Sequence, residues 1–459
     1  MPATQTSAAL PARDPNRLAG HIVPTLKLAV PVVATRAGLL LMLALDTAML
    51  GHHDTGELAG FAAASAVQIV MILIAVGLLQ GTAILTAQAA GAGQRHACGT
   101  YFRASLVLAL VVGAALGLLC LAGGWFLGVL GQEPAVAAIG GRAFAMFAWS
   151  YPAFGLWLAI AMFLEGLSRP VPGMVITFLG LAANGLLDWL FIFGGLGLPP
   201  MGAEGAAIAT SIVRHLMLFA LAGYVLTLRD RKALGLLDWR DTPLSVVRKL
   251  CRLGLPLALS RGLETGAFSA LTLIAGLIGP AALAGYQITY NLIGLVFMAA
   301  VGTGTATMIR VGNAVGRRDA LGARRAGWAG VLVVSAVTGA ATVVFFSAPA
   351  ALASLYTDEP ALRVIVTTLI FVGGFTLVLD GAQMVLQGAL RGLADIWTTM
   401  MIQFSAWWVV CVPLGYGLAL ALGLGPSGLI WAILAGSIVA AGVSALRFRV
   451  LTARGIAPA

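Results

Sequence analysis

The chain has 459 residues, of which 60% are hydrophobic and only 10% charged, with a formal net charge of +10. No soluble domain buries that much apolar surface, whereas repeated stretches of about 20 apolar residues are what a bilayer demands. An ordinary soluble protein is excluded, and a polytopic helical membrane protein is expected.

Residues 1–26, with Pro2, Pro11, Arg13, Asp14, Pro15 and Arg17, carry neither the short apolar core nor the cleavage site of a signal peptide, so the first span is expected to stay in the mature protein. Cutting the apolar runs at polar, Pro and Gly breaks predicts twelve spans. They cover 28–50, 59–84, 102–126, 138–163, 173–196 and 204–227, then 253–278, 281–308, 325–348, 362–386, 397–422 and 427–447. Between the sets lies the longest charged stretch, 229–252, with Arg229, Arg231, Lys232, Arg240, Arg248, Lys249 and Arg252. It reads as a linker between lobes at 27–228 and 253–448, with tails at 1–26 and 449–459.

Basic residues fall on one set of loops, among them Arg95, Arg103, Arg169, Arg310, Arg317, Arg318, Arg324, Arg325, Arg391, Arg447 and Arg449, while the opposite loops hold little besides Arg142 and Arg363. Positive charge of this kind marks the cytoplasmic side, which puts both termini and the linker there. Spread over many short loops, it does not form a nucleic-acid-binding face. Cys98, Cys120, Cys251 and Cys411 stand singly, without disulfide or zinc spacing, and no cofactor is expected. A monomer is expected.

The halves are related in sequence. A shift of 225 carries Pro31 onto Pro256, Arg36 onto Arg261, Gly77 onto Gly302 and Gly91 onto Gly316. A shift of 222 carries Glu165-Gly-Leu-Ser-Arg169 onto Gln387-Gly-Ala-Leu-Arg391. Six helices return the chain to its starting side, so the duplicated lobes keep one orientation and form parallel repeats, with a substrate path at their interface.

Four carboxylates stand alone inside apolar runs: Asp46, Asp188, Glu264 and Asp380. An ionised carboxylate at bilayer depth costs at least a few kcal/mol, so it faces a protein interior or aqueous cavity and has something to bind. Ion-coupled transport is implied.

Several segments together resemble the multidrug and toxic compound extrusion (MATE) transporters: Pro31 with Leu45-Asp46-Thr-Ala-Met-Leu-Gly51, Ala87-Gln88-Ala-Ala-Gly91, Glu165-Gly-Leu-Ser-Arg-Pro170, Asn184-Gly-Leu-Leu-Asp188 and Gly202-Ala-Glu-Gly-Ala-Ala-Ile-Ala-Thr210. The resemblance covers nearly the whole chain. It implies an all-α membrane protein of twelve transmembrane helices in two pseudo-symmetric six-helix lobes. It also implies export of amphipathic, often cationic small molecules against sodium ions or protons, as in the NorM-like and DinF-like bacterial branches.

Helical rise gives an independent check on depth. Asp46 lies 15 residues beyond Pro31 and Asp188 16 beyond Pro172, so both stand ~23 Å up from the cytoplasmic ends. Asn184 and Asp188 share a helix face at i,i+4, and Thr210 lies in the outer half of span six. Four oxygen-bearing side chains can converge, which suits a hard cation or a shared proton. The resemblance assigns a cation or proton site to Asp46, Asn184, Asp188 and Thr210, with bending of span one near Pro31 as the accompanying change. Glu264 and Asp380 resemble a second-lobe carboxylate pair of NorM-like members, except that Thr376 stands where that branch has an aromatic residue one turn before the second acid. Glu165 reads as a helix-end partner of Arg169. Arg36 and Arg261 read as snorkelling to the cytoplasm, with closure of an inner gate as the functional alternative.

A lipid-linked precursor flippase of related architecture is the rival function; it would favour a cationic cavity, and the intramembrane carboxylates argue against it. A membrane-embedded enzyme lacks a nucleophile, base and metal grouping. The loop charges make a direct prediction: cysteines placed at Arg95, Arg240 and Arg318 should react with an impermeant maleimide only from the cytoplasmic side, and one at Glu133 only from outside. External labelling of the linker would overturn the two-lobe topology.

Overall fold

The computed structural model describes residues 19–239 and 243–454. Arg13, Arg17 and the rest of the first 18 residues, and Arg240 of the linker, lie outside the described residues. Helices are the only open-ended segments that satisfy every backbone N–H and C=O within lipid, and the described chain is helical almost throughout. The first lobe comprises α1 (Ala19–His53), α2 (Thr55–Leu79), α3 (Gly81–Gly91), α4 (Arg95–Leu121), α5 (Gly123–Val129), α6 (Pro134–Ala148), α7 (Ser150–Gly166), α8 (Val171–Ile192) and α9 (Gly202–Thr227). The second comprises α10 (Leu244–Ile278), α11 (Pro280–Gly316), α12 (Ala320–Ser347), α13 (Pro349–Ser354), α14 (Pro360–Gly392), α15 (Ile396–Phe404), α16 (Val412–Tyr416) and α17 (Pro426–Ala453).

Ten segments among the described residues are long and apolar enough to cross a bilayer, and the pair α6–α7 makes eleven. The remaining long helix, α10, carries Arg252, Arg261 and Glu264, which dilute its apolar character. Helix starts follow local chemistry. The Asp54 carboxylate caps α2 by accepting from the Glu57 N–H at 2.9 Å, and Asp319 caps α12 by accepting from Gly322 N–H at 2.7 Å. Gly279, at φ 144°, makes the one-residue turn between α10 and α11, a conformation closed to side-chain-bearing residues.

Three departures from the predicted spans have physical causes. Span four breaks at Trp149 into α6 and α7, bent by 53°, where Pro152 has no N–H to offer the Ala148 carbonyl. Span eleven passes through π-helical turns at Ser405–Cys411 and Gly417–Ala421; Pro413 between them has no N–H to offer the carbonyl four residues back. The linker is shorter than predicted, because α10 begins at Leu244: Val246, Val247, Leu250 and Leu253 recur at helical spacing and pack onto the first lobe's core. Upstream, Leu234 and Leu236 are buried in that same core, and the fully buried Arg103 donates to the Gly235 carbonyl. Arg169 forks onto Asp230 at 3.0 and 2.8 Å, holding the Asp230 carboxyl below the usual carboxylate range.

The lobes meet along a twofold-related seam at the arginine-rich end. Gly77 of α2 lies against the Ala258 backbone of α10, and Gly302 of α11 against Val33 of α1; each partner is its counterpart's residue plus 225. Gly91 likewise abuts Asn313, and Gly316 abuts Gln88. Gln88 donates through Nε2 to the Gly392 carbonyl at 3.0 Å, and Asn313 through Nδ2 to Ser168 Oγ at 3.2 Å. Toward the opposite end the corresponding glycines turn inward: Gly60 meets Ile139 and Gly285 meets Ile365, both within their own lobe. Backbones approach this closely only where no Cβ intervenes. Gly77→Leu and Gly302→Leu are each expected to destabilise this closed seam by about 1–3 kcal/mol, read as a lower midpoint of thermal inactivation in detergent. Gly223→Ala, with nothing within 4 Å of its added carbon, should leave that midpoint unchanged.

Candidate functional site

Small residues bring three helices of the first lobe together around its buried acids. Gly38 of α1 seats Thr177 of α8, Gly185 of α8 seats Leu45 of α1, and Gly180 of α8 seats Met217 of α9. Asp46, near the far end of α1, thereby reaches Asn184 and Asp188, which stand one above the other on α8. Thr210 arrives from α9. All four are buried, Asn184 and Asp188 completely.

The hydrogen bonding within this group is lopsided. Asn184 Nδ2 donates to both Asp46 Oδ1 and Asp188 Oδ2. The Thr210 hydroxyl donates to Asp46 Oδ2 at 3.1 Å. Asn184 Oδ1 and Asp188 Oδ1 are buried with no partner. An amide and a hydroxyl supply at most three donors, while two ionised carboxylates and an amide oxygen accept many more. Buried acceptors left unpaired cost about 1–3 kcal/mol each, so the arrangement is short of a proton or a hard cation. No arginine or lysine closes an ion pair with either acid among the described residues.

The second-lobe acids sit differently. Glu264 accepts from Arg261 Nη1 at 3.0 Å, one turn earlier on α10. Asp380 Oδ1 accepts from Gln383 Nε2 at 3.1 Å and Ser437 Oγ at 3.3 Å. No hydrogen bond joins Glu264 to Asp380 among the described residues, although both act electrostatically on Tyr290 of α11. Thr376 turns its hydroxyl onto the Gly373 carbonyl at 2.7 Å. The aromatic surface comes instead from other helices: Phe268 packs 5.2 Å from Tyr290 and 5.1 Å from Trp407, and Tyr286 stacks on Tyr290 at 6.0 Å.

The arginines are more engaged than their positions in sequence imply. Arg36 does not snorkel; it pairs with buried Glu165 at 3.4 Å across α1 and α7. Glu165 therefore has Arg36 as its partner, and Arg169 takes Asp230. In the second lobe Gln387 replaces Glu165, leaving Arg261 to Glu264 and a buried Arg391 to Gln387 Oε1 at 3.4 Å. α1 runs unbroken through Pro31, where the Thr35 hydroxyl donates to the Pro31 carbonyl at 2.8 Å. Gln383, Ser437 and Tyr290 carry no local motif and were not singled out by sequence reading; their roles come from helices 50 or more residues away or from a shared turn.

The MatE family model matches residues 31–190 and 256–417, the two ranges again beginning 225 residues apart. The probable multidrug resistance protein NorM of Caulobacter vibrioides is 32% identical over 448 residues, covering 97% of this chain and 95% of its own. The protein of the same name from Bradyrhizobium diazoefficiens is 35% identical over 448 residues, covering 96% and 95%. A crystal structure of MATE in the bent conformation superposes with a TM-score of 0.88 at 20% identity, covering 96% of this chain and 97% of that one. Duplicated sequence, twelve-helix fold and near-full-length relatives agree: the chain belongs to the MATE family, and is a membrane transporter and not an enzyme.

Proposed function

We propose that the chain is a proton- or sodium-coupled antiporter that exports amphipathic, often cationic compounds across the bacterial inner membrane by alternating access. The observation that carries this reading is the donor-poor cluster of Asp46, Asn184, Asp188 and Thr210, whose unpaired oxygens face a site that one small cation would complete. Relatives named multidrug resistance proteins support the export of drug-like compounds. Lobes at 27–228 and 253–448 rock against one another, with the termini and the arginine-rich end in the cytoplasm and the seam there closed.

α1 connects the two events. Asp46 lies toward the far end of α1, and Val33, two residues past Pro31 and close to the middle of the helix, forms the seam with Gly302. Pro31 has no N–H to offer the Lys27 carbonyl, so bending at that point breaks no backbone bond. A cation entering from outside binds the Asp46–Asp188 pair, lets α1 and α8 repack, and by bending α1 at Pro31 loosens the seam and displaces the substrate. Glu264 and Asp380 form a subsidiary cation site, weakened because Arg261 already neutralises Glu264.

One observation favours a flippase for anionic lipid-linked precursors: Arg261 and Arg391 line a small cavity at the seam with Gln80 and Thr305. Two measurements separate the readings. Expression in a drug-sensitive strain should lower ethidium accumulation, and collapse of the ion gradients should abolish the difference. Unchanged accumulation of every cationic dye together with translocation of a lipid-linked precursor would establish the flippase instead. Within the antiport reading, Asp188→Asn should abolish gradient-driven efflux while preserving folding and dye binding, and Glu264→Gln and Asp380→Asn should reduce it by less. Loss of transport in Glu264→Gln with efflux retained in Asp188→Asn would move the essential site to the second lobe.

A further inference from the structure

Arg214 lies on α9 one turn beyond Thr210, and only 7% of it is exposed. Its guanidinium forms no ion pair with a carboxylate among the described residues. What surrounds it is the break in span four. Nη1 donates to Ser150 Oγ at 3.0 Å, and that hydroxyl donates in turn to the Phe147 carbonyl at 2.8 Å. The rings of Phe147, Tyr151 and Phe154 stand 5.3, 5.4 and 5.1 Å from the guanidinium carbon. The next residue, His215, stacks on Trp149 at 4.5 Å, so the bend between α6 and α7 is moulded around this part of α9.

Three ring faces and one hydroxyl do not replace the hydration of a buried cation, which needs negative charge nearby. One turn back along α9, the Thr210 hydroxyl holds the Asp46 carboxylate. Tyr151 of α7 and Cys120 of α4, and then Asp46, are the titratable groups that act on Arg214. Asp188 belongs to the cluster through α8. Farther along α9, Glu204 is already paired with Arg142 of α6, and Glu57 of α2 accepts from the Ala203 N–H at 2.9 Å.

We infer that Arg214 is the fixed counter-charge of the Asp46–Asp188 cluster, and that it limits the cluster to one monovalent cation per transport cycle. This inference rests on the cation-site reading above. The charge count is direct: two ionised carboxylates carry −2, Arg214 brings the group to −1, and one proton or sodium ion brings it to zero. A second cation would leave a net positive charge in the bilayer interior. Without Arg214 the same acids would take two cations and hold the first more tightly. Arg214 is thus a positioning and selectivity-determining residue that acts through Asp46 without touching the transported ion.

The test uses the full chain in lipid nanodiscs, with release of bound ethidium followed as protons are added without sodium, and as sodium is added at fixed high pH. Arg214→Gln should lower the cation concentration for half-release by about tenfold or more and steepen the curve from a slope of about one toward about two. Arg214→Lys, which keeps the charge, should stay within about twofold of the wild-type midpoint. Asp188→Asn separates the two levels of the argument. If it leaves cation-driven release intact, the first-lobe site is wrong and the counter-charge falls with it. If it abolishes release while Arg214→Gln keeps the wild-type midpoint and slope, or if Gln and Lys shift them alike, the site stands and the counter-charge is overturned. Should Arg214→Gln fail to fold, adding Asp46→Asn removes the opposing charge and should restore folded protein; a double variant as unfolded as the single also overturns the proposal.

Discussion

Two carboxylates that share one amide set the terms for the first lobe. Asn184 Nδ2 serves both Asp46 and Asp188, where α1, α8 and α9 pack closely through Gly38, Gly180 and Gly185. In lipid there is no hydrophobic force between helices, so close van der Waals packing and side-chain hydrogen bonds must hold them. The polar cluster and the small-residue contacts therefore depend on each other. Removing the amide would leave like charges facing across the gap, and widening the gap would leave the amide with one partner.

Duplication explains the symmetry of the seam, and divergence explains the difference between the lobes. Gly77 with Ala258 and Gly302 with Val33 are copies of one contact, as are Gly91 with Asn313 and Gly316 with Gln88. Polar groups have since been redistributed. Glu165 pairs with Arg36 across helices, whereas its counterpart Gln387 leaves Arg261 to Glu264 within a single helix. One lobe thus leaves Asp46 and Asp188 without a direct ion pair, and the other pairs Glu264 with a neighbouring arginine.

Much of this was legible in the residues because helical rise turns sequence distance into height. Asp46 and Asp188 count to the same level from Pro31 and Pro172, Asn184 shares a face with Asp188 by spacing alone, and the 225-residue shift identifies the seam glycines. What could not be read is lateral. Arg36 and Glu165 are 129 residues apart, and no periodicity says that they touch. The rings around Arg214 come from both sides of the helix break at Trp149, and only the fold brings them to α9. The second lobe lacks an aromatic at Thr376, yet Tyr290 and Phe268 supply one from other helices. The start of α10 was placed late because its arginines mask a small apolar face that only the packed first lobe makes worthwhile.

The segment joining the lobes is bound to one of them. Leu234, Leu236 and the Gly235 carbonyl are fastened beneath α4, Asp230 is gripped by Arg169, and the first turns of α10 rest on the same core. α10 therefore begins on one body and ends inside the other, like an oar through a rowlock, with Pro256 at the crossing beside the Ala258 contact with Gly77. Any swing of the second body is transmitted through this shaft. Over its described residues 229–239, the hydrophilic stretch between the lobes is packed onto the first of them, which makes it a poor place for an inserted tag or fused reporter.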